Sequence, residues 1–300
     1  MKKAIVFILL LACPVLVVAA EPSWQPFILE KGLIKFKVYV EGVEGYAIVD
    51  TGRERSSVNK AFIEDKKLST DVLNYVKVSG IFGDKRRPRY KDVDIEINGV
   101  TYQQNLYEVS FGPPRNAVML GADFLKNVVV DIDYRNQRIR FFSNRDEIDL
   151  VSNVPFTKQR ETGYPIILVN LNDEDERWVI LDTAHSGGVL LEKRVATQNN
   201  WFERFSSSSS LVMGVNSMGY HNVIDLPKIK LGPYEVEKVQ VAVPEINRLF
   251  RITSQYEQEH SRIRGRRVEG LIGYEALKHF RLLFDYRSGS IELSQAQASE

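Results

Sequence analysis

Two aspartates stand in matched settings along this chain. Asp50 ends the apolar run Ala47-Ile48-Val49 and is followed by Thr51-Gly52; Asp182 ends Val179-Ile180-Leu181 and is followed by Thr183-Ala184. An apolar strand that ends in Asp presents a carboxylate where the chain must turn sharply, which gives the small residue at 52 or 184 a steric reason. Brought face to face, two such carboxylates cannot both ionise easily and hold one proton between them. One then serves as base toward a water while the other, protonated, polarises a carbonyl. The titration belongs to the pair and not to either member. This is chemistry for hydrolysing an amide without a metal or a covalent intermediate. Thr51 and Thr183 are placed for each hydroxyl to hydrogen-bond across to the opposite loop and lock the pair.

The elements around the aspartates are repeated as well. Met119-Leu120-Gly121-Ala122-Asp123-Phe124-Leu125 returns as Leu271-Ile272-Gly273-Tyr274-Glu275-Ala276-Leu277, and Ile132-Asp133-Tyr134-Arg135 returns as Phe284-Asp285-Tyr286-Arg287. The interval from Gly to Asp is the same in both copies. Three matched motifs in one order indicate a duplicated unit, with a period far beyond that of solenoid repeats. Strand patterns dominate each copy. Ile34, Phe36, Val38 and Val40 alternate with Lys35, Lys37 and Tyr39, as do Val93, Ile95 and Ile97 with Asp94 and Glu96. Asn98-Gly99 and Gly232-Pro233 supply hairpin turns. Val128 to Val130 and Val239 to Val243 read as continuous, deeply buried strands. Helical periodicity is confined to 60–67, 192–199 and the segments after Gly121 and Gly273. The expected fold is all-β and two-lobed, with short helices: residues 1–20 as a signal peptide, 21–150 as an N-terminal lobe and 151–300 as a C-terminal lobe.

Bulk properties narrow the classes further. The 300 residues carry a net charge of +1, so no global field argues for nucleic acid. Met1-Lys2-Lys3, an apolar run to Ala20, and small residues at Val18 and Ala20 read as a cleaved secretory signal, hence a periplasmic or secreted protein. Leu10-Leu11-Ala12-Cys13 loosely matches a lipobox, and membrane attachment follows only if Cys13 is lipidated. The apolar stretch continuing past Cys13 favours cleavage after Ala20, which leaves a mature chain with no cysteine and no disulfide. His185, His221, His260 and His279 lack metal-ligand spacing, and no phosphate-binding glycine loop occurs, so neither metal nor cofactor is expected. The serine run 206–210 reads as a solvated loop. The longer interval between Asp and Gly in the second copy points to an insertion at 247–268. Its Arg262, Arg264, Arg266 and Arg267 make it either a plain surface loop or a docking site for a partner.

On these motifs the chain resembles the aspartic proteases, each lobe similar to a retropepsin-like domain and the fused pair arranged like pepsin. Ile48-Val49-Asp50-Thr51-Gly52 matches the family signature, Ile180-Leu181-Asp182-Thr183-Ala184 matches with Ala for Gly, and Leu120-Gly121 and Ile272-Gly273 match the apolar-Gly element behind each catalytic loop. The resemblance covers residues 30 to 295. It implies an aspartic endopeptidase with Asp50 and Asp182 as its dyad and a peptide or protein substrate lying extended in the cleft. Glu54 then corresponds to the acidic residue that holds substrate backbone, with Ser186 as its counterpart. Flaps are expected as hairpin tips, Gly80-Ile81-Phe82-Gly83 in the first lobe and Met213-Gly214 in the second, with the cations from Lys85 to Lys91 as a solvated loop or a cationic rim beside the first. The family usually carries Ser, Thr or Ala after the small residue. This chain has Arg53 and His185, either of which, as a cation, would unbalance the shared proton. The rival expectation is a protein that uses the same cleft to bind peptides without cutting them.

Overall fold

The computed structural model describes residues 22–80, 83–143, 148–159, 163–213, 218–244 and 266–295, with main chain alone at 77–80, 83–85, 210–213 and 218–220. The expected signal with Cys13, the tip residues Ile81, Phe82 and Gly214, and Arg262 and Arg264 lie outside the described residues. The chain is mostly β. Its first half runs β1 (Gln25–Glu30), β2 (Leu33–Val40), β3 (Val43–Val49), β4 (Ser57–Asn59), α1 (Lys60–Lys66), β5 (Val72–Gly80), β6 (Gly83–Ile97), β7 (Val100–Val109), β8 (Asn116–Leu120), α2 (Ala122–Leu125), β9 (Val129–Asp133) and β10 (Arg138–Phe142). The second half repeats this order: β11 (Phe156–Lys158), β12 (Pro165–Leu171), β13 (Asp175–Leu181), β14 (Val189–Leu191), α3 (Lys193–Gln198) with an added α4 (Trp201–Arg204), then β15 (Ser207–Met213), β16 (Met218–Leu231), β17 (Tyr234–Pro244), β18 (Val268–Ile272), α5 (Tyr274–Leu277), β19 (Phe280–Asp285) and β20 (Ser290–Gln295).

Pairing follows the same plan in both halves. In the first, β2-β3-β8-β4-β7-β6 form a ring closed by β6 returning to β2. In the second, β12-β13-β18-β14-β17-β16 close through β16 and β12. Closure removes free edges from each ring. β3 pairs with β8, and β13 with β18, in parallel, each with an irregularity after its first pair, at Tyr46/Ala47 and Trp178/Val179. The duplicated sequence motifs therefore correspond to duplicated registers. Asn98 and Gly99, both at positive φ, make the turn between β6 and β7, and Gly232 opens the turn between β16 and β17.

The halves are joined by a sheet of their own, in the order β20-β19-β9-β10-β1. β19 from the second half pairs antiparallel with β9 from the first, Leu282 opposite Ile132. Fully buried Asp131 on β9 accepts from Arg140 at 2.9 Å and from Arg281 Nη2 at 2.6 Å, so an ion network ties the join together. One apolar core runs through both rings and this sheet, from Phe36 and Phe62 to Trp201 and Phe284.

Four local expectations are corrected. The serine run is solvated but is no loop: Ser207 to Ser210 form the edge strand β15, opposite Ile224 to His221. A strand needs only one paired side, and its exposed positions accept serine. Residues 86–91 are likewise strand β6 rather than loop, where Arg87 meets Glu108 at 3.5 Å and Arg89 lies over the Tyr107 ring. Val239, Val241 and Val243 are buried but alternate with exposed Gln240 and half-buried Ala242, so β17 is covered mainly on one face. Lys35, expected outside, is buried because Glu30 at 3.0 Å and Asn116 at 3.1 Å take its ammonium. Among the described residues no helix is long and apolar enough to cross a membrane.

Candidate active site

The period-two geometry of β3 decides where Asp50 points. Val49 belongs to the ring core, whereas Ile48 lies in a small separate cluster with Met119, Phe111, Leu33 and Val109. Asp50 follows Ile48 by two residues and shares its face, outside the ring. The second half repeats this: Leu181 is in the core, and Ile180 clusters with Ile166, Val268, Tyr164, Trp178 and Leu271. Each aspartate thus emerges beside an apolar floor.

Each Asp loop is stitched to the segment after the Leu/Ile-Gly motif by equivalent bonds. Asp50 N donates to Leu120 O at 3.0 Å, and Asp182 N to Ile272 O at 2.9 Å. Ala122 N donates to Arg53 O and Tyr274 N to His185 O, both at 2.8 Å. Asp123 N donates to Glu54 O and Glu275 N to Gly187 O, both at 3.1 Å. Six main-chain bonds in two matched sets leave the loops little freedom.

The loops face one another through their threonines. Thr51 and Thr183 are both fully buried, with hydroxyl oxygens 3.4 Å apart. Thr183 Oγ1 donates to Val49 O at 2.8 Å and accepts from Thr51 N at 3.2 Å; Thr51 Oγ1 donates to Leu181 O and accepts from Thr183 N at 3.0 Å. Each hydroxyl therefore serves two main-chain groups of the opposite loop. Gly52 approaches the opposite carboxylate directly: a Cβ there would lie 2.6 Å from Asp182 Cγ. Ala184 N donates to Asp182 Oδ1 at 2.9 Å, and Gly52 N–H serves Asp50 in the same way.

Both carboxylates keep part of their surface open while protein atoms fill most of their surroundings. Loss of solvation raises both pKa values, Asp50 to about 6 and Asp182 to about 7. For Asp182 the next cause is the charge of Asp50, whereas for Asp50 it is Arg53, which acts in the opposite sense. The pair can hold one proton near neutrality, with the charge of Arg53 favouring the ionised form at Asp50.

His185 is the corrected member of the expected cation pair. Buried against Gly187 and Gly273, its imidazole has its pKa lowered to about 4 by lost solvation and by His221, so it is neutral at ordinary pH. Of the two residues that follow the small one in each Asp loop, Arg53 is the one that carries positive charge, which makes the two loops unequal. Glu54 is exposed and takes Arg55 at 3.2 Å; Ser186 is exposed too, with its Cα 2.9 Å from where a Cβ on Gly32 would sit. Gly80 and Gly83 pair across the tip between β5 and β6, and Met213 pairs with Met218 across the equivalent tip. Arg267, from the Arg-rich stretch, bonds Glu192 at 3.1 Å, and Arg266 lies over Trp178.

Sequence reasoning did not single out several residues that complete the site. Ser56 N and Oγ both donate to Asp123 Oδ1, at 2.8 and 2.6 Å, and Ser56 Oγ accepts from Gly121 N at 3.0 Å, bracing the first Asp loop. Tyr164, in the turn before β12, feels the charges of Asp50 and Asp182, and buried Tyr134 feels that of Asp182; both phenols are raised, first by burial. Gly32, in the β1–β2 turn, touches the second Asp loop, so the hairpin turn of each half reaches the loop of the other. The repeated Asp-Tyr-Arg motif was the available signal for Tyr134. Among the described residues no three His, Cys, Asp or Glu side chains gather as metal ligands. No protein-family model matches the chain, and no curated protein matches it.

Proposed function

We propose that this chain is an aspartic endopeptidase of bilobal acid-protease fold, exported by its N-terminal signal, that cuts peptide bonds with a water activated between Asp50 and Asp182. One observation carries the reading. Two partly open, desolvated carboxylates emerge from equivalent strands of two equivalent rings, on loops locked together by reciprocal threonine bonds, and the charge of Asp50 acts on Asp182. The steps follow from the charge asymmetry. Ionised Asp50 takes a proton from the water as its oxygen attacks the carbonyl carbon, while Asp182 gives its proton to the carbonyl oxygen. Collapse of the tetrahedral species breaks the C–N bond, the amine nitrogen leaves with the proton held by Asp50, and Asp182 recovers its own from the gem-diol hydroxyl. The apolar floors at Ile48 and Ile180 suit side chains flanking the bond. Glu54, Ser186 and the two hairpin tips, including Gly80-Ile81-Phe82-Gly83 and Met213-Gly214, are assigned to gripping the substrate main chain.

The test is cleavage of an unfolded protein by the purified mature chain between pH 4 and 8, beside Asp50→Asn and Asp182→Asn. Wild type should cut, both variants should lose at least about 1,000-fold, and an aspartic-protease inhibitor should block wild type stoichiometrically. Equal behaviour of wild type and Asp50→Asn over that range would reduce the protein to a peptide binder. N-terminal sequencing of the exported product should begin at Glu21; a lipid on Cys13 would contradict soluble export.

A further inference from the structure

Resting on the peptidase reading, we propose that Arg53 makes the cleft selective for substrates that place a carboxylate beside the scissile bond on the Asp50 side. The main chain of Arg53 is fixed at both ends, its N–H donating to Asp50 O at 3.3 Å and its carbonyl accepting from Ala122. Its half-buried side chain does not trail into solvent. Nε donates to Arg55 O at 3.1 Å, and Nη1 reaches Met119 Sδ at 3.0 Å, a sulfur in the apolar cluster with Ile48 that lies beside Asp50. The guanidinium charge is felt by both Asp50 and Tyr164.

The charge of Arg53 acts on Asp50, which the reaction keeps for the water, and among the described residues it forms no ion pair. The nearby acids are engaged elsewhere: Glu54 with Arg55, and Asp123 with Ser56. A thioether is a weak acceptor, so Nη1 spends one N–H on a poor partner; Nε is taken by Arg55 O, and among the described residues no acceptor takes the remaining N–H groups. A partly desolvated guanidinium gains most from a carboxylate, which it can hold with two parallel bonds. The opposite loop offers no equivalent, because His185 is neutral and packed inward on Gly187 and Gly273. The preference is therefore one-sided. Its carboxylate can come from an Asp or Glu side chain or from a chain terminus close to the cut.

The experiment compares peptides that differ only in Glu, Gln or Lys at each residue flanking the cut, near pH 6, each made with a free and an amidated C-terminus. Wild type should favour Glu over Gln at one flanking position by at least about tenfold in kcat/KM, as one charged hydrogen-bonding pair supplies. A Glu-over-Gln preference that amidation leaves unchanged assigns the carboxylate to the side chain; if instead free-terminus peptides are cut at least about tenfold faster than amidated ones whichever side chain flanks the cut, the terminus is its source. Arg53→Glu should invert the ratio toward Lys, and Arg53→Gln should bring Glu and Gln close to parity. Taking ratios within one variant cancels any change in the dyad itself. Equal wild-type rates on Glu and Gln peptides together with equal rates on free and amidated ones, or a preference that survives both substitutions, would overturn the assignment while leaving the peptidase intact. Failure of wild type to cut any peptide, matched by Asp50→Asn, would remove both.

Discussion

Replacing Thr51 by Val tests the lock between the halves directly. The side chains are nearly isosteric, and the site is fully buried, so the change removes a hydroxyl and little volume. Two bonds go with it: the one to Leu181 O and the one from Thr183 N at 3.0 Å. Each leaves a buried main-chain group short of a partner, at about 1–3 kcal/mol apiece, so the expected loss is roughly 2–6 kcal/mol. For a chain of this size that lowers the melting temperature by about 4 °C or more. Thr51→Ser keeps both bonds and loses one methyl, about 1 kcal/mol. The assay is thermal or urea unfolding of the three proteins at one pH, with peptide cleavage in parallel. Because the two hydroxyls share one network, Thr51→Val with Thr183→Val should cost less than the two single losses added. If Thr51→Val melts with wild type and retains its activity, the reciprocal bonds do not hold the aspartates together, and the account of the site fails.

Other outcomes follow from the same geometry. Gly52→Ala puts a methyl within 2.6–2.9 Å of the Asp182 carboxylate, so cleavage should drop at least about 100-fold with far-UV circular dichroism unchanged. Ser56→Ala unties Asp123 and Gly121 N together and should destabilise the protein by about 1–3 kcal/mol, read by urea unfolding. Activity should need the singly protonated pair and fall as pH rises through the upper, burial-raised value of the pair, near neutrality, in a pH profile of kcat/KM. The same shifts bear on stability. Both carboxyls bind protons more tightly when folded, so their stabilising contribution is complete below their ordinary values near 4 and is lost as pH climbs through about 6 to 7. Asp182→Asn should therefore gain stability over wild type at pH 8, with the gap closing toward pH 4 in matched melting curves.

Much of the site is local in origin and therefore legible in the chain. The apolar runs ending in Asp50 and Asp182 marked the strands that present the aspartates, the small residues at 52 and 184 marked the turns, and the repeated Leu/Ile-Gly and Asp-Tyr-Arg motifs announced the doubled plan. Turn chemistry at Asn98-Gly99 and Gly232-Pro233 worked the same way, since positive φ is a property of the residues themselves. Partners distant in sequence decided the remainder. Closing β6 onto β2, setting β19 beside β9, resting Gly32 on the second Asp loop and bringing Tyr164 near the first are choices among long-range pairings that no local pattern encodes. The serine run became a strand because β16 was there to pair with it, and Lys35 went inside because Glu30 and Asn116 met it. Charge at the site divided the same way. Arg53 and His185 read alike as cations from their positions, but an imidazole's protonation depends on how much water the fold leaves around it. Packing neutralised the histidine, and the guanidinium, charged in any fold, acts on Asp50.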